Sequence, residues 1–321
     1  MHAADDGRLK VLVTGGNGFL GSSVVAGLAA AGHDVVSADL RFPTSEVEGV
    51  MHTVMDVTDA EAVSAGIEAA EPEVVVHLAS IVTPGRDSSR EQEHAVDVEG
   101  SRHVLAACLA HGVRRAVVSS SGAAYGYHAD NPVPLTEDDP LRGNEELACS
   151  HHVRLVEEQL ATLRAEHPEL EQVVLRIGTI LGEDVDNQTT ALFERSRLLR
   201  VAGSGPLLGF VWDSDVVATI QQAVTGDVTG VFNVAGDGTM TVSEIAKALG
   251  KRTLVVPEPV LRVALRVGRR LHLTPYGPEQ TRCLQFRPVL DNTRLKTVFG
   301  YTPRRTSREA FDAWRMRGQT V

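Results

Sequence analysis

Lysine is almost missing from this chain: 321 residues hold only four, Lys10, Lys247, Lys251 and Lys296. Tyrosine is equally scarce, with none between Tyr127 and Tyr276. The two gaps overlap, so no register builds a Tyr-x-x-x-Lys pair in the middle of the chain. Cysteine is the third shortage. Cys108, Cys149 and Cys283 are widely spaced and odd in number, which excludes a disulfide framework or a clustered zinc pattern and points to a reducing cytoplasm. Positive charge is outweighed, 31 Lys and Arg against 42 Asp and Glu. A net charge of -11 argues against nucleic acid as a main partner, because phosphate binding wants a basic surface. Long apolar runs are absent too. Arginines interrupt the stretch 261–271, and no other run approaches membrane-spanning length. The short acidic start Met1-His2-Ala3-Ala4-Asp5-Asp6 runs straight into a strand pattern, unlike a signal peptide.

What is present is a rhythm. Short apolar runs at 9–13, 34–38, 53–55, 74–78, 116–119 and 173–177 alternate with helix-period segments at 20–31, 60–69, 91–111 and 145–166. Parallel strands covered by helices on both faces read as continuous β-branched runs. The alternation predicts an α/β fold, a doubly wound parallel-sheet Rossmann domain over residues 1–180. After Gly182 the rhythm breaks. Gly203-Ser204-Gly205-Pro206 marks a turn, 231–234 reads as a strand, and Thr241 with Glu244 has the spacing of a capping box opening a helix to 249. Residues 181–321 are read as a smaller substrate-binding lobe, with late segments returning to the main domain.

The first strand leads into Thr14-Gly15-Gly16-Asn17-Gly18-Phe19-Leu20-Gly21. Glycine is required in such a strand–turn–helix for the tight turn, for backbone N–H groups to approach a pyrophosphate, and for helix and strand to pack closely. A side chain at Gly16 is expected to fill the pyrophosphate's space and leave the fold intact. Asp39 ends the next strand, about 20 residues on, where a carboxylate accepts from a ribose and repels a 2′-phosphate. That favours NAD; Arg41 nearby keeps NADP open by offering charge to such a phosphate.

Further segments come in order: Met55-Asp56-Val57-Thr58-Asp59, His77-Leu78-Ala79-Ser80, Ser119-Ser120-Ser121-Gly122-Ala123-Ala124-Tyr125-Gly126, Leu175-Arg176-Ile177-Gly178-Thr179-Ile180-Leu181-Gly182, Phe210-Val211-Trp212-Asp213-Ser214-Asp215-Val216, and Leu290-Asp291-Asn292-Thr293-Arg294-Leu295 with Phe299-Gly300-Tyr301-Thr302-Pro303. With the glycine motif they resemble the extended short-chain dehydrogenase/reductase family, the NAD-dependent epimerases and dehydratases, over nearly the whole length. The resemblance implies an adenine-side contact at Asp56 and Val57, and a cofactor-lining strand end at Leu78, Ala79 and Ser80. It places further cofactor contacts at Ser119 and Arg176 and the catalytic serine at Ser121.

The helix after the serine loop departs from that family. Cys149 falls on the tyrosine position and Val153 on the lysine position, while Asp97 stands where asparagine is usual. Arg154 is no substitute, being turned by about 100° on a helix of roughly 3.6 residues per turn. In the family, serine and tyrosine hold the reacting oxygen, and lysine lowers the tyrosine's pKa and grips the nicotinamide ribose. A thiol is acidic enough for proton transfer but several ångströms too short, so Cys149 reads as a small packed residue. The replacement proton donors are Tyr125 first, sharing the loop of Ser121, then His152; Tyr127, His128 and His151 lie close by in sequence. Arg262, Arg266, Arg269 and Arg270 have helical spacing, read either as a solvated face or, with Arg282 and Arg287, as an anion site for a substrate diphosphate.

Three functions are compatible with these residues. One is an NAD-dependent oxidoreductase, epimerase or dehydratase acting on a small polar or sugar-nucleotide-like substrate with a rewired proton donor. The others are a catalytically silent dinucleotide-binding sensor and a non-redox enzyme reusing the pocket. The expected partners are a small-molecule substrate and a second copy of the chain in a homodimer, with no nucleic acid, membrane or metal.

Overall fold

The computed structural model describes residues 7–81, 88–274 and 276–317. The acidic start at residues 1–6, on which the expectation of no signal peptide rests, lies outside the described residues.

The apolar runs become β1 (Lys10–Thr14), β2 (Asp34–Asp39), β3 (Met51–Val54), β4 (Val74–His77), β5 (Arg115–Ser121), β6 (Glu171–Ile177) and β7 (Gly230–Val234). They form one seven-stranded sheet in the order β7-β6-β5-β4-β1-β2-β3, and every pairing is parallel. The order reverses between β4 and β1, so the carboxyl ends of those strands open a crevice where a ligand binds in such sheets. The third strand lies slightly earlier than the expected 53–55. It is an edge strand whose exposed Met51 and Val54 blur the burial signal.

Helices cover both faces. On one, α1 (Phe19–Ala30) and α7 (Asp213–Thr225) bury Val24, Leu28, Val216 and Ile220 against the sheet. On the other, α2 (Ala60–Ala70), α4 (Gly100–Ala110) and α5 (Ala148–Glu166) bury Ile67, Val104, Leu105 and Leu160. Each such side chain contributes about 1.5–3 kcal/mol by leaving water, which is why the strands between them are apolar on both faces.

The helix expected over 91–111 is broken into α3 (Arg90–His94), a π turn at Ala95–Glu99, and α4. The extra residue in a π turn rotates the rest of the helix. Here Asp97 is brought under the end of β4, where its Oδ1 accepts from Ser80 Oγ and Ile81 N, both at 2.9 Å. The start of α5 falls later than expected because Asn144 is committed to the loops: its Oδ1 accepts from Tyr127 N at 2.7 Å and its N–H donates to Ser150 Oγ at 3.0 Å.

Beyond β6 the chain forms short pairs: Thr179–Leu181 with Phe210–Trp212, Leu207–Leu208 with Met240–Thr241, and Arg197–Val201 with Arg252–Val256. These pack with α6 (Gln188–Glu194), α8 (Val242–Ala248) and α11 (Ser307–Met316) around Phe193, Phe210, Phe311 and Trp314. The capping box of α8 is present in both directions between Thr241 and Glu244. The arginine-rich segment is α9 (Glu258–Arg270), followed by α10 (Gln280–Gln285). Among the described residues no helix is long and apolar enough to cross a membrane.

Candidate active site

The glycine turn is built by backbone proximity. Gly15 has φ +67°, and a Cβ there would lie 2.8 Å from Ala79 Cα, because the ends of β1 and β4 sit side by side. At Gly21 a Cβ would meet Gly15 O at 2.0 Å, whereas at Gly18 its nearest contact is Gly15 O at 3.1 Å. At Gly16 a Cβ would strike Ser37 Oγ at 2.2 Å and approach Val13 O at 3.2 Å, so a side chain there must also displace the Ser37 hydroxyl. Gly18 caps α1 with no side-chain hydrogen bond and no acidic residue in the first turn. The N–H groups of Phe19, Leu20 and Gly21 thus retain the donor capacity and positive end of a helix start, which suits a pyrophosphate.

Asp39 is fixed at the tip of β2: its Oδ2 accepts from Asn17 N at 3.0 Å and its Oδ1 from Leu40 N at 2.7 Å. Asn17 in turn donates through Nδ2 to Arg41 O, which ties the glycine loop to the strand that would read the ribose. Asp56 accepts from Thr58 N and Oγ1 at 2.9 and 2.7 Å, holding Val57 buried against the far side of the crevice. Leu78 and Ala79 continue β4 beside the glycine turn through Leu78 N to Thr14 O, 3.1 Å. This arrangement sets backbone N–H donors at the start of α1 beside a carboxylate at the tip of β2.

On β5, Ser121 accepts from Ala123 N at 3.2 Å and keeps its hydroxyl proton to donate. Ser119 Oγ donates to His77 O at 3.2 Å, and Ser120 Oγ to Glu157 Oε1 at 2.5 Å. Tyr125, expected as first substitute for the lost phenol, is fully buried. Its hydroxyl sits 2.9 Å from both Thr136 O and Asn233 Oδ1 and accepts from Arg176 Nη1 at 2.7 Å. Burial, only partly offset by Arg176, pushes its pKa up to about 12. The structure gives Tyr125 a structural place. Arg176 is likewise spoken for: its guanidinium grips Glu157 in a buried pair, Nη2 to Oε2 2.7 Å and Nε to Oε1 2.8 Å. The expected cofactor contact at Arg176 is therefore replaced by an internal network running Ser120–Glu157–Arg176–Tyr125. Glu157 was not singled out from sequence; its recurrence on the face of α5 that carries Val156 and Leu160 was the available signal.

At the start of α5, Cys149 and the residues after it lie in different surroundings. Cys149 is open to solvent yet crowded by protein, and loss of hydration pushes its thiol up to about 12, followed by the charges of Asp97, Cys283 and Glu93. Tyr127 is the phenol coupled to this spot: burial raises its pKa strongly, followed by Cys283 and Cys149. His152 turns inward, 1 % exposed, with Nδ1 3.5 Å from Asp97 Oδ2 and its ring 5.4 Å edge-on from His94. His151 stays half-buried with its pKa lowered, by desolvation first and Arg154 next. Val153 borders a small cavity with Asp97 and Ser120.

The basic cluster does not converge. Arg262 pairs with Glu258 at 3.5 Å, Arg269 with Glu279 at 3.1 Å and Arg282 with Glu146 at 2.8 Å; Arg266 and Arg270 are exposed on α9.

A family model described as the NAD dependent epimerase/dehydratase family matches residues 11–235. A 3-diazoavenalumate denitrifying reductase from a Streptomyces species is 31% identical over 303 residues, covering 92% of this chain and 96% of the relative. Among solved structures, the Bordetella bronchiseptica enzyme WbmG in complex with NAD and UDP superposes with a TM-score of 0.75 at 20% identity, covering 100% of this chain and 97% of the other. The Thermus thermophilus UDP-glucose 4-epimerase complex with NAD gives 0.73 at 24% identity, covering 97% and 99%.

Proposed function

The chain belongs to the NAD dependent epimerase/dehydratase family, and on that premise we propose that it moves hydride between a nicotinamide dinucleotide and a small molecule without a tyrosine–lysine pair. NAD is the cofactor of the family. The observation that carries the reading is Ser121: it keeps a free hydroxyl proton at the carboxyl edge of the sheet, beside a glycine cradle with all its glycines in place.

The acceptor class is set by charge. Hydride added to a ketone leaves an alkoxide, which must take a proton from an acid. Hydride added to a cationic acceptor, such as an iminium or a diazonium, leaves a neutral product and needs no proton. The site holds neither a phenol–lysine pair nor a free cation at Val153, and after desolvation the carboxylates of Asp97 and Glu93 raise the thiol of Cys149, so its field favours positive charge. The Streptomyces relative, a reductase by name, agrees with reduction as the direction. Sugar nucleotides, named with the solved neighbours, rank second, because Arg262, Arg269 and Arg282 are each held by a carboxylate.

The test is NADH consumption with a panel of ketones, iminium ions, diazonium ions and sugar nucleotides. Turnover is expected with a cationic acceptor; Ser121→Ala should lower kcat by about 100-fold for an acceptor that develops charge on oxygen, as loss of one positioned donor does, and much less for a cationic one. If NAD binds tightly and no acceptor is reduced, the silent binding protein replaces this reading.

A further inference from the structure

We infer that α9 and the turn after it form a surface that lies against an anionic lipid membrane. This is independent of the hydride chemistry. At about 100° per residue, the surface of α9 falls into ordered sectors. Leu261 is buried, and Gly268 is packed so closely that a Cβ would lie 2.9 Å from Thr274 Cγ2; this side faces the protein. Next round the helix come Arg262 and Arg269, held by Glu258 at 3.5 Å and Glu279 at 3.1 Å. Beyond them stand Arg266 and Arg270, both exposed and without an ion pair among the described residues. The last sector is apolar: Val260, Val263, Val267 and Leu271 are each half or more exposed. The row does not end with the helix. His272 turns the chain at φ +56°, a conformation that residues with a Cβ rarely take. Its N–H donates to Arg269 O at 3.1 Å, and Leu273 N–H to Gly268 O at 2.9 Å. In such a helix stop the residue after the turn frequently packs back on the third residue from the helix end. Here that residue is Gly268, which has no side chain to meet, and Leu273 is 78% exposed.

Single exposed apolar side chains are ordinary, but a row of them edged by cations is not. Charge decides what covers it. Residues 258–273 carry four arginines against one glutamate on a chain of net charge -11, so the positive charge is local and borders the apolar row. An apolar sector flanked by arginines, on a helix of low overall hydrophobicity, is the build of a helix that lies in a membrane interface. Its row enters the boundary of the acyl chains and its cations meet anionic headgroups. A second copy of the chain fits worse. In a two-fold contact the same patch meets itself, which brings Arg266 and Arg270 of both copies to one interface. The lack of a spanning run bears on crossing a membrane, not on lying against one.

The test is sedimentation of the full chain with vesicles, either phosphatidylcholine alone or phosphatidylcholine with an equal share of phosphatidylglycerol. Binding is expected to the anionic vesicles only, weakening as salt screens the charges. The chain as a whole is repelled by that surface, so its overall charge does not produce this result. Val263→Asp with Val267→Asp should abolish binding, and Arg266→Gln with Arg270→Gln should weaken it by about tenfold or more. All four positions are exposed, and circular dichroism checks that the variants fold. No binding to the anionic vesicles, or equal binding to both kinds, overturns the inference. Binding that survives Val263→Asp with Val267→Asp overturns it as well. If those substitutions instead dissociate a dimer in sedimentation velocity while lipid is ignored, a second copy covers the face and the inference falls.

Discussion

The two sides of the crevice hold their ligands by different means. Between β1 and β2 the work is done by backbone: Gly15, Gly18 and Gly21 leave room, the start of α1 offers N–H groups, and one carboxylate, Asp39, pins the loop. Between β5 and α5 the work depends on the length and charge of side chains, and there Cys149 and Val153 stand where the family resemblance leads one to expect tyrosine and lysine. A backbone cradle survives drift in its neighbours because its requirement is the absence of atoms. A proton relay survives only if particular atoms stay within about 3 Å. The same fold can therefore keep its cofactor under substitutions that would rewrite its chemistry.

The largest effect should come from attacking the cradle where it is tightest. In Gly21→Val a Cβ 2.0 Å from Gly15 O and 2.9 Å from Gly16 Cα collides with backbone that has nowhere to go. NAD binding should become undetectable by calorimetry, with stability falling by about 4 kcal/mol or more in chemical denaturation. Gly18→Ala, facing only Gly15 O at 3.1 Å, should weaken NAD far less. If the two variants bind alike, the cradle is not shaped by these contacts.

His77, where the two sides meet, gives the next effect. Its pKa in the folded protein is lowered from 6.5 to about 4 by burial, slightly countered by Asp97. Between those values the unfolded chain binds the extra proton and the folded chain does not, so stability falls as pH drops from 6.5 towards 4. The total is on the order of 3 kcal/mol. His77→Gln should flatten that slope in denaturant titrations across the window, whatever it does to stability at neutral pH. An unchanged slope would mean that His77 titrates normally.

A smaller change is expected at Asp39. Asp39→Asn keeps an acceptor for Asn17 N but removes the charge that repels a 2′-phosphate, leaving Arg41 to attract one. The ratio of NADP to NAD affinity should rise about tenfold, near 1.4 kcal/mol. No shift in that ratio would show that the strand tip does not read the ribose.

How much of this was legible in the sequence obeys the same division. The sheet, its helices and the glycine turn could be read because they depend on local patterns: apolar runs, helical periods and residues without a Cβ. The π turn at Ala95–Glu99 could not, since Asp97 is pulled inward by Ser80 and Ile81, contacts made across the fold. The fate of Tyr125 was hidden for the same reason. Adjacency to Ser121 suggested an acid, but the phenol is enclosed by Thr136, Asn233 and Arg176, partners from three separate segments. His152 was readable in part: it lies on the face of α5 that buries Val156 and Leu160 at steps of four, and only its partner Asp97 needed the structure.

The smallest effect should be at the position whose substitution is most conspicuous. Cys149 stands where the family resemblance leads one to expect a tyrosine, and a thiol in such a crevice invites a role as acid or nucleophile. Its surroundings argue otherwise. Reactive thiols sit beside cations that favour the thiolate, whereas Cys149 has the uncharged Val153 one turn on, and desolvation first and the carboxylates of Asp97 and Glu93 after it push its thiol up. Such a thiol stays protonated at neutral pH, is a poor nucleophile, and gives up its proton less readily than an unperturbed one. Cys149→Ala should therefore leave kcat within about twofold, less than 0.5 kcal/mol, under conditions where Ser121→Ala is strongly impaired. Alkylation of Cys149 by iodoacetamide should also be slow at neutral pH despite its exposure. A large loss of rate in Cys149→Ala with Ser121→Ala unaffected would invert the assignment and make the thiol, rather than the serine, the group that meets the substrate.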